Sequence, residues 1–96
     1  MRKYWVYITT NHTKTVRYIG VTNNLIRRLG EHFENQVSDK TFTGRYKAHY
    51  LLYFEEYDDI RVAIAREKQL KHWSRIKKDT LIQTLNPNFD ILPFDI

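Results

Sequence analysis

The chain has 96 residues, 42% of them hydrophobic and 15% aromatic, enough for one domain built on a small core. Sixteen Lys and Arg against eleven Asp and Glu give a formal charge of +5, which suits a polyanionic partner such as nucleic acid or an acidic membrane surface. There is no cysteine, which excludes disulfides, a cysteine nucleophile and thiolate zinc sites, and the four histidines are scattered with no pair at metal-ligand spacing. No run approaches the roughly 18 apolar residues of a membrane span. Met1-Arg2-Lys3 is followed by a mixed strand and not by a signal core, so the expected location is cytoplasmic.

The first predicted strand, Tyr4 to Thr10, is aromatic and β-branched, with Tyr4, Val6 and Ile8 on one face and Trp5, Tyr7 and Thr9 on the other. The second, Thr15 to Val21, puts Val16, Tyr18 and Gly20 on one face. If residues 10 and 15 close a four-residue loop, Tyr7 stands opposite Tyr18 and two phenols share a face. Gly20, two residues on, leaves a gap that either admits a phosphate or another element to the backbone, or serves strand-to-helix packing.

Thr22-Asn23-Asn24 reads as an N-cap for a helix reaching about Asn35, with Leu25, Ile26, Leu29 and Phe33 as its apolar residues. His32 lies within about 20° of Leu25 around the axis, and Arg28 about 60° from it at the edge of the stripe. Residues 36–47 lack a clear period. There Phe42 and Tyr46 interleave with Lys40, Arg45 and Lys47; Phe42 reads as tucked under the core, Arg45 and Lys47 as phosphate contacts.

His49 to Tyr57 is almost continuously apolar at its centre, which predicts a central strand covered on both faces. Asp58-Asp59 caps a helix whose stripe holds Ile60, Ala63, Ile64, Leu70 and Trp73, and Glu67 falls inside it. A carboxylate there needs a metal or an ion pair, with Arg28 or Lys71 as partners within reach. From Arg66 to Lys78 run six basic residues against one acid, so Lys71, Arg75, Lys77 and Lys78 are candidate phosphate contacts or else a solvated helix face. After a break near Ser74 a last helix holds Ile76, Leu81, Ile82 and Leu85 and stops at Asn86-Pro87. The apolar tail, Asn88 to Ile96, is expected to pack back on the domain.

Taken together, Trp5-Val6-Tyr7, Tyr18-Ile19-Gly20, Arg28-x-x-x-His32 and the segment Ala65-Arg66-Glu67-Lys68-Gln69-Leu70-Lys71 resemble the GIY-YIG nuclease superfamily, and most of all its small stand-alone bacterial members. The departure is Trp5, where the family often has glycine. The resemblance implies an α/β fold, a small mostly antiparallel three-stranded sheet flanked by about three helices, with residues 1–96 as one nuclease domain. It implies hydrolysis of DNA phosphodiesters with one divalent cation, Mg²⁺ or Mn²⁺, held by Glu67. Arg28 would stabilise charge on the phosphate, and Tyr7 and Tyr18 would position or activate water. His32 would orient a tyrosine or relay a proton, and Asn86 would contact phosphate. A free phenol has a pKa near 10, so Tyr7 is either a base lowered by nearby positive charge or a water-positioner. The competing readings are a nucleic-acid-binding module with this fold and little catalysis, and an interaction domain whose basic face takes an acidic protein.

Overall fold

A computed structural model of the chain describes residues 2–30 and 50–93. Strands β1 (Tyr4–Thr10), β2 (Tyr18–Thr22) and β3 (Tyr50–Tyr57) form an antiparallel sheet in the order β2-β1-β3. Residues 25–30 are helical (α1), followed by α2 (Ile60–Lys71) and α3 (Arg75–Leu85). Each helix start is capped by a side chain, Asn24 and Asp59 as the sequence offered and Ser74 where it offered only a break. Asn24 Oδ1 accepts from Arg27 N at 3.0 Å, Asp59 Oδ1 from Arg61 N at 2.9 Å, and Ser74 Oγ from Lys77 N at 3.2 Å.

The hairpin register differs from the expected one. Tyr7 pairs with Gly20, and Tyr18 pairs with Thr9. The cause is a wider loop, 11–17, organised by Asn11. Its Oδ1 accepts from Thr15 N at 2.8 Å and Val16 N at 3.3 Å, while its Nδ2 donates to the Thr13 and Thr15 hydroxyls at 3.0 and 2.8 Å. Lys14 takes the left-handed turn with φ 58°. A shift of two residues preserves the side-chain alternation, so Tyr7, Tyr18 and Gly20 still share a face.

Strand β3 is not central; β1 is. The apolar run of β3 reports two covered faces and not two hydrogen-bonded neighbours. Leu51 packs with Tyr7, Leu25 and Leu29 on the α1 side, and Leu52 with Ile8, Tyr53 and Ile82 on the α3 side. Leu51 and Leu52 face opposite ways by ordinary alternation, and the register irregularity between Ile8 and Thr9, which skips Leu52, lets Leu52 share a side with Tyr53. The tail returns as expected, with Leu92 N donating to Leu51 O at 2.9 Å.

Helix α2 buries only Ala63 and Leu70, against Val6. Ile60 and Ile64 are exposed, as are Ile76 and Leu85 on α3, so the buried stripes are narrower than their apolar patterns suggested. Burial of side chains such as Leu29, Leu70 and Ile82 contributes about 1.5–3 kcal/mol each. Asn86 closes α3 as a buried bracket. Its Nδ2 donates to Leu52 O at 3.1 Å and Asp90 O at 2.7 Å, and its Oδ1 accepts from Asp90 N at 3.0 Å. The expectation that Asn86 contacts phosphate is corrected: its amide is spent on backbone, and only 4% of the residue is exposed.

Candidate active site

β2 is an edge strand, and the site lies along it. Ile19 and Val21 turn toward α2, while Tyr18 and Gly20 share the face of Tyr7. At an edge, groups from both faces can meet. A cavity of about 350 Å³ there is lined by Tyr7, Tyr18, Gly20, Arg28, Glu67 and Lys71 together with the flanking β2 residues.

Gly20 is what lets Tyr7 reach this edge. The Tyr7 ring is buried between Leu25, Leu29 and Leu51, and its hydroxyl end lies across Gly20. A Cβ on Gly20 would overlap the phenol and stand 2.9 Å from its Cε1. The gap left by the missing side chain is thus filled by a neighbouring ring, which aims a hydroxyl into the cavity. Arg28, from α1, brings Nε to 3.5 Å from Tyr7 Oη, the outer limit of a hydrogen bond.

Glu67 enters from α2. Its side chain is 16% exposed and pairs with Lys71 Nζ at 3.2 Å, one turn on. Of the two ion-pair partners considered from sequence, Lys71 is therefore one that the geometry supplies, and it lines the cavity itself. Among the described residues no three His, Cys, Asp or Glu side chains gather as a metal cluster, so Glu67 is a lone carboxylate at the cavity. Such a donor set fits a hard cation like Mg²⁺, which keeps several waters and shares the rest of its shell with a substrate phosphate.

Tyr7, Tyr18, Arg28, Glu67 and Lys71 are brought together. Lys77 and Lys78 lie on α3 and do not line this cavity; Lys77 Nζ sits 4.4 Å over the Trp73 ring. His32, Arg45 and Lys47 lie outside the described residues.

One polar cluster escaped the sequence reading. Glu55 on β3 receives Arg66 through Nε and Nη2, both at 2.9 Å, and the hydroxyls of Tyr53 at 2.6 Å and Tyr57 at 2.5 Å. Burial pushes the Glu55 carboxyl up, but the hydrogen bonds from Arg66 and the two phenols outweigh it and hold it below the usual range. Burial and the bond to Glu55 push Tyr57 up to about 12 and Tyr53 higher still. The signal was present in Tyr53-x-Glu55-x-Tyr57, a period of two that puts all three on one face. The cluster clamps α2 to β3 next to Glu67 in sequence, so it fixes the rotation of the helix that carries the carboxylate.

Comparison with known proteins gives the family and the fold. The family described as "GIY-YIG catalytic domain" matches residues 3–79. A UPF0213 protein of Natronomonas pharaonis is 33% identical over 79 residues, 82% of this chain and 89% of the relative. A UPF0213 protein of Syntrophus aciditrophicus is 35% identical over 83 residues, 86% of this chain and 93% of the relative. The solution NMR structure of a UPF0213 protein from Bacillus halodurans superposes with a TM-score of 0.57 at 25% identity, covering 91% of this chain and 89% of that one. The match runs through the hairpin, the arginine helix and the glutamate helix that build the cavity, and the chain belongs to the GIY-YIG catalytic domain family.

Proposed function

We propose that this protein is a divalent-metal-dependent endonuclease, a single cytoplasmic nuclease domain that hydrolyses DNA phosphodiester bonds at the β2 edge. The observation that carries the reading is the convergence of Tyr7, Tyr18, Arg28 and Glu67 on one cavity in a chain of the GIY-YIG family. Glu67 is the residue that would hold Mg²⁺ or Mn²⁺. When bound, the cation would offset charge on the phosphate and acidify water.

The protein's own groups do the rest. Arg28 offers a planar fork to two phosphate oxygens and stabilises the charge that builds there in the transition state. Tyr7, held rigid by its packing across Gly20, positions the attacking water or takes its proton. Tyr18 orients the water or the phosphate from the same face. His32 serves to orient a tyrosine or relay a proton, and Arg45, Lys47, Lys71, Lys77 and Lys78 supply contacts along the DNA backbone.

A second reading has one specific observation in its favour. The Glu67–Lys71 pair satisfies the carboxylate without a metal, as suits a nucleic-acid-binding module with little catalysis. Plasmid cleavage with Mg²⁺, Mn²⁺ or EDTA separates the two. Metal-dependent nicking that is lost in Glu67→Ala and Tyr7→Phe is the expected result. Intact plasmid in every lane, with equal gel shifts for wild type and variants, would hand the site to the binding module. Cleavage surviving Glu67→Ala would remove the metal assignment.

A further inference from the structure

Trp5 stands one side-chain repeat before Tyr7 on the same face of β1, about 7 Å along the strand. Trp5 packs against the cluster that Tyr7 forms with Leu25, Leu29 and Leu51. Beside Trp5 lies a second cavity, of about 470 Å³, lined by Arg2, Lys3, Trp5 and Asn23. It shares no lining residue with the Tyr7 cavity, yet the two are neighbours: Trp5 pairs with Thr22, the last residue of β2, and Asn23 follows directly.

The groups around it differ in availability. Lys3 is compensated by Asp58 at 2.9 Å and Glu56 at 3.5 Å. Arg2 is exposed and has no carboxylate partner among the described residues. Among the described residues, Asn23 Oδ1 receives only a distant Arg27 Nη2, at 3.5 Å. Trp5 is half-buried, so its ring is anchored in the core while part of it faces the cavity. An anchored indole, a planar amide and an uncompensated guanidinium around one cavity match the three parts of a nucleotide. The ring takes a base face, the amide takes a base edge, and the guanidinium takes a phosphate.

We propose that Trp5, Asn23 and Arg2 form a subsite for an unpaired nucleotide next to the phosphate held at Tyr7 and Arg28. Only the location of that phosphate rests on the nuclease reading; the stacking does not. A base in a duplex is covered on both faces, so this subsite selects single strands, flaps or frayed ends.

The test is binding by the full chain in EDTA, read by anisotropy of a labelled oligothymidylate and of a labelled hairpin duplex. Trp5→Leu is expected to weaken oligothymidylate binding about 5- to 150-fold, the range for loss of one base stack, and duplex binding less than about twofold. Trp5→Phe restores most of the loss, and Arg2→Ala weakens single-strand binding and flattens its salt dependence. Equal losses for both probes, or no loss for either, overturn the proposal. Because Trp5 also packs in the core, a second measurement leaves its ring in place. In a Trp73→Phe protein, Trp5 is the only indole, and oligothymidylate must quench it; absence of quenching overturns the proposal too. Repeating both in Glu67→Ala separates the two ideas. Trp5-dependent binding with no cleavage by wild type keeps the subsite and rejects the nuclease, while cleavage without Trp5-dependent binding does the reverse.

Discussion

Gly20→Ala is the most direct probe of how the site is built. The backbone at Gly20 is not in the left-handed region, so alanine meets no conformational strain. On that ground alone the substitution would stabilise the protein by about 0.4–1 kcal/mol through the unfolded chain. The space decides otherwise. The new Cβ would overlap the Tyr7 phenol, which is the rigid end of a ring 4% exposed and held by Leu25, Leu29 and Leu51. Overpacking of this kind costs about 1–3 kcal/mol. The two ranges combine to a net destabilisation of about 0–2.6 kcal/mol, and each kcal/mol lowers Tm by about 4–8 °C in a domain of this size. Urea unfolding followed by far-UV circular dichroism measures it. The control is Tyr7→Ala, which empties the space. In that background Gly20→Ala should be neutral or stabilising, a coupling of about 1–3 kcal/mol between the two positions. If Gly20→Ala is equally harmful with and without the Tyr7 ring, or harmless in both, the contact does not govern the site and the reasoning fails. Cleavage should fall with stability to spare, since the hydroxyl must move out of the cavity.

Other perturbations follow from the ion pairs and brackets. Arg66→Ala strips Glu55 of its bidentate partner and is expected to cost about 2–4 kcal/mol in chemical denaturation, the two phenols moderating a loss otherwise near that of a broken buried pair. The same cluster sets a pH dependence. Glu55 has a folded pKa below the ordinary 4.5, so its contribution is present above that value and drains away as pH falls below it. Tyr57, raised from 10.0 to about 12, contributes below pH 10 and loses that contribution as pH climbs to 12; stability measured against pH should be flatter at both ends in Glu55→Gln. Asn86→Ala leaves Leu52 O and the Asp90 backbone without partners and should cost about 1–3 kcal/mol, with DNA affinity of the folded protein unchanged in a gel-shift titration. Lys71→Ala frees the Glu67 carboxylate from its cation and is expected to tighten Mn²⁺ binding in calorimetry while weakening DNA binding; unchanged metal affinity would show that Lys71 does not compete for the ligand.

Much of the fold was legible because its signals are local. The alternation of Tyr4–Thr10, the caps at Asn24 and Asp59, the break near Ser74 and the stop at Asn86 all lie within a few residues of what they control. The hairpin register was missed because it depends on the tertiary choice of one side chain: Asn11 gathers Thr13, Thr15 and Val16 into a loop no turn pattern specifies. The place of β3 at an edge was missed because burial and ladder pairing are different properties, and hydrophobicity reports only the first. Asn86 was misread because a motif match cannot distinguish a solvent-facing amide from one consumed by backbone. Glu67, by contrast, stood out through the conflict between its charge and its helical position; in the structure it pairs with Lys71 and lines the cavity.

The site's position on β2 has a physical logic of its own. A sheet separates its two faces, so a carboxylate on α2 and phenols on the α1 side are kept apart by the backbone wherever the sheet is covered on both sides of a strand. They can meet only where the ladder ends. β2 is the end that α1 and α2 flank, only five residues long, with every residue half-buried. Tyr7, however, belongs to the central strand and stands one strand spacing, about 4.8 Å, inside the edge. Its ring must cross β2 to reach the cavity, and it can cross only over a residue with no side chain. Register therefore matters more than motif: pairing Tyr7 with Gly20, and not with Tyr18 as the shorter loop would have it, is what opens the path. The Asn11 loop, some distance along the hairpin, sets that pairing. Loosening it with Asn11→Ala should reduce cleavage more than its modest effect on stability predicts, and a strict proportionality between the two would break the link between loop, register and site.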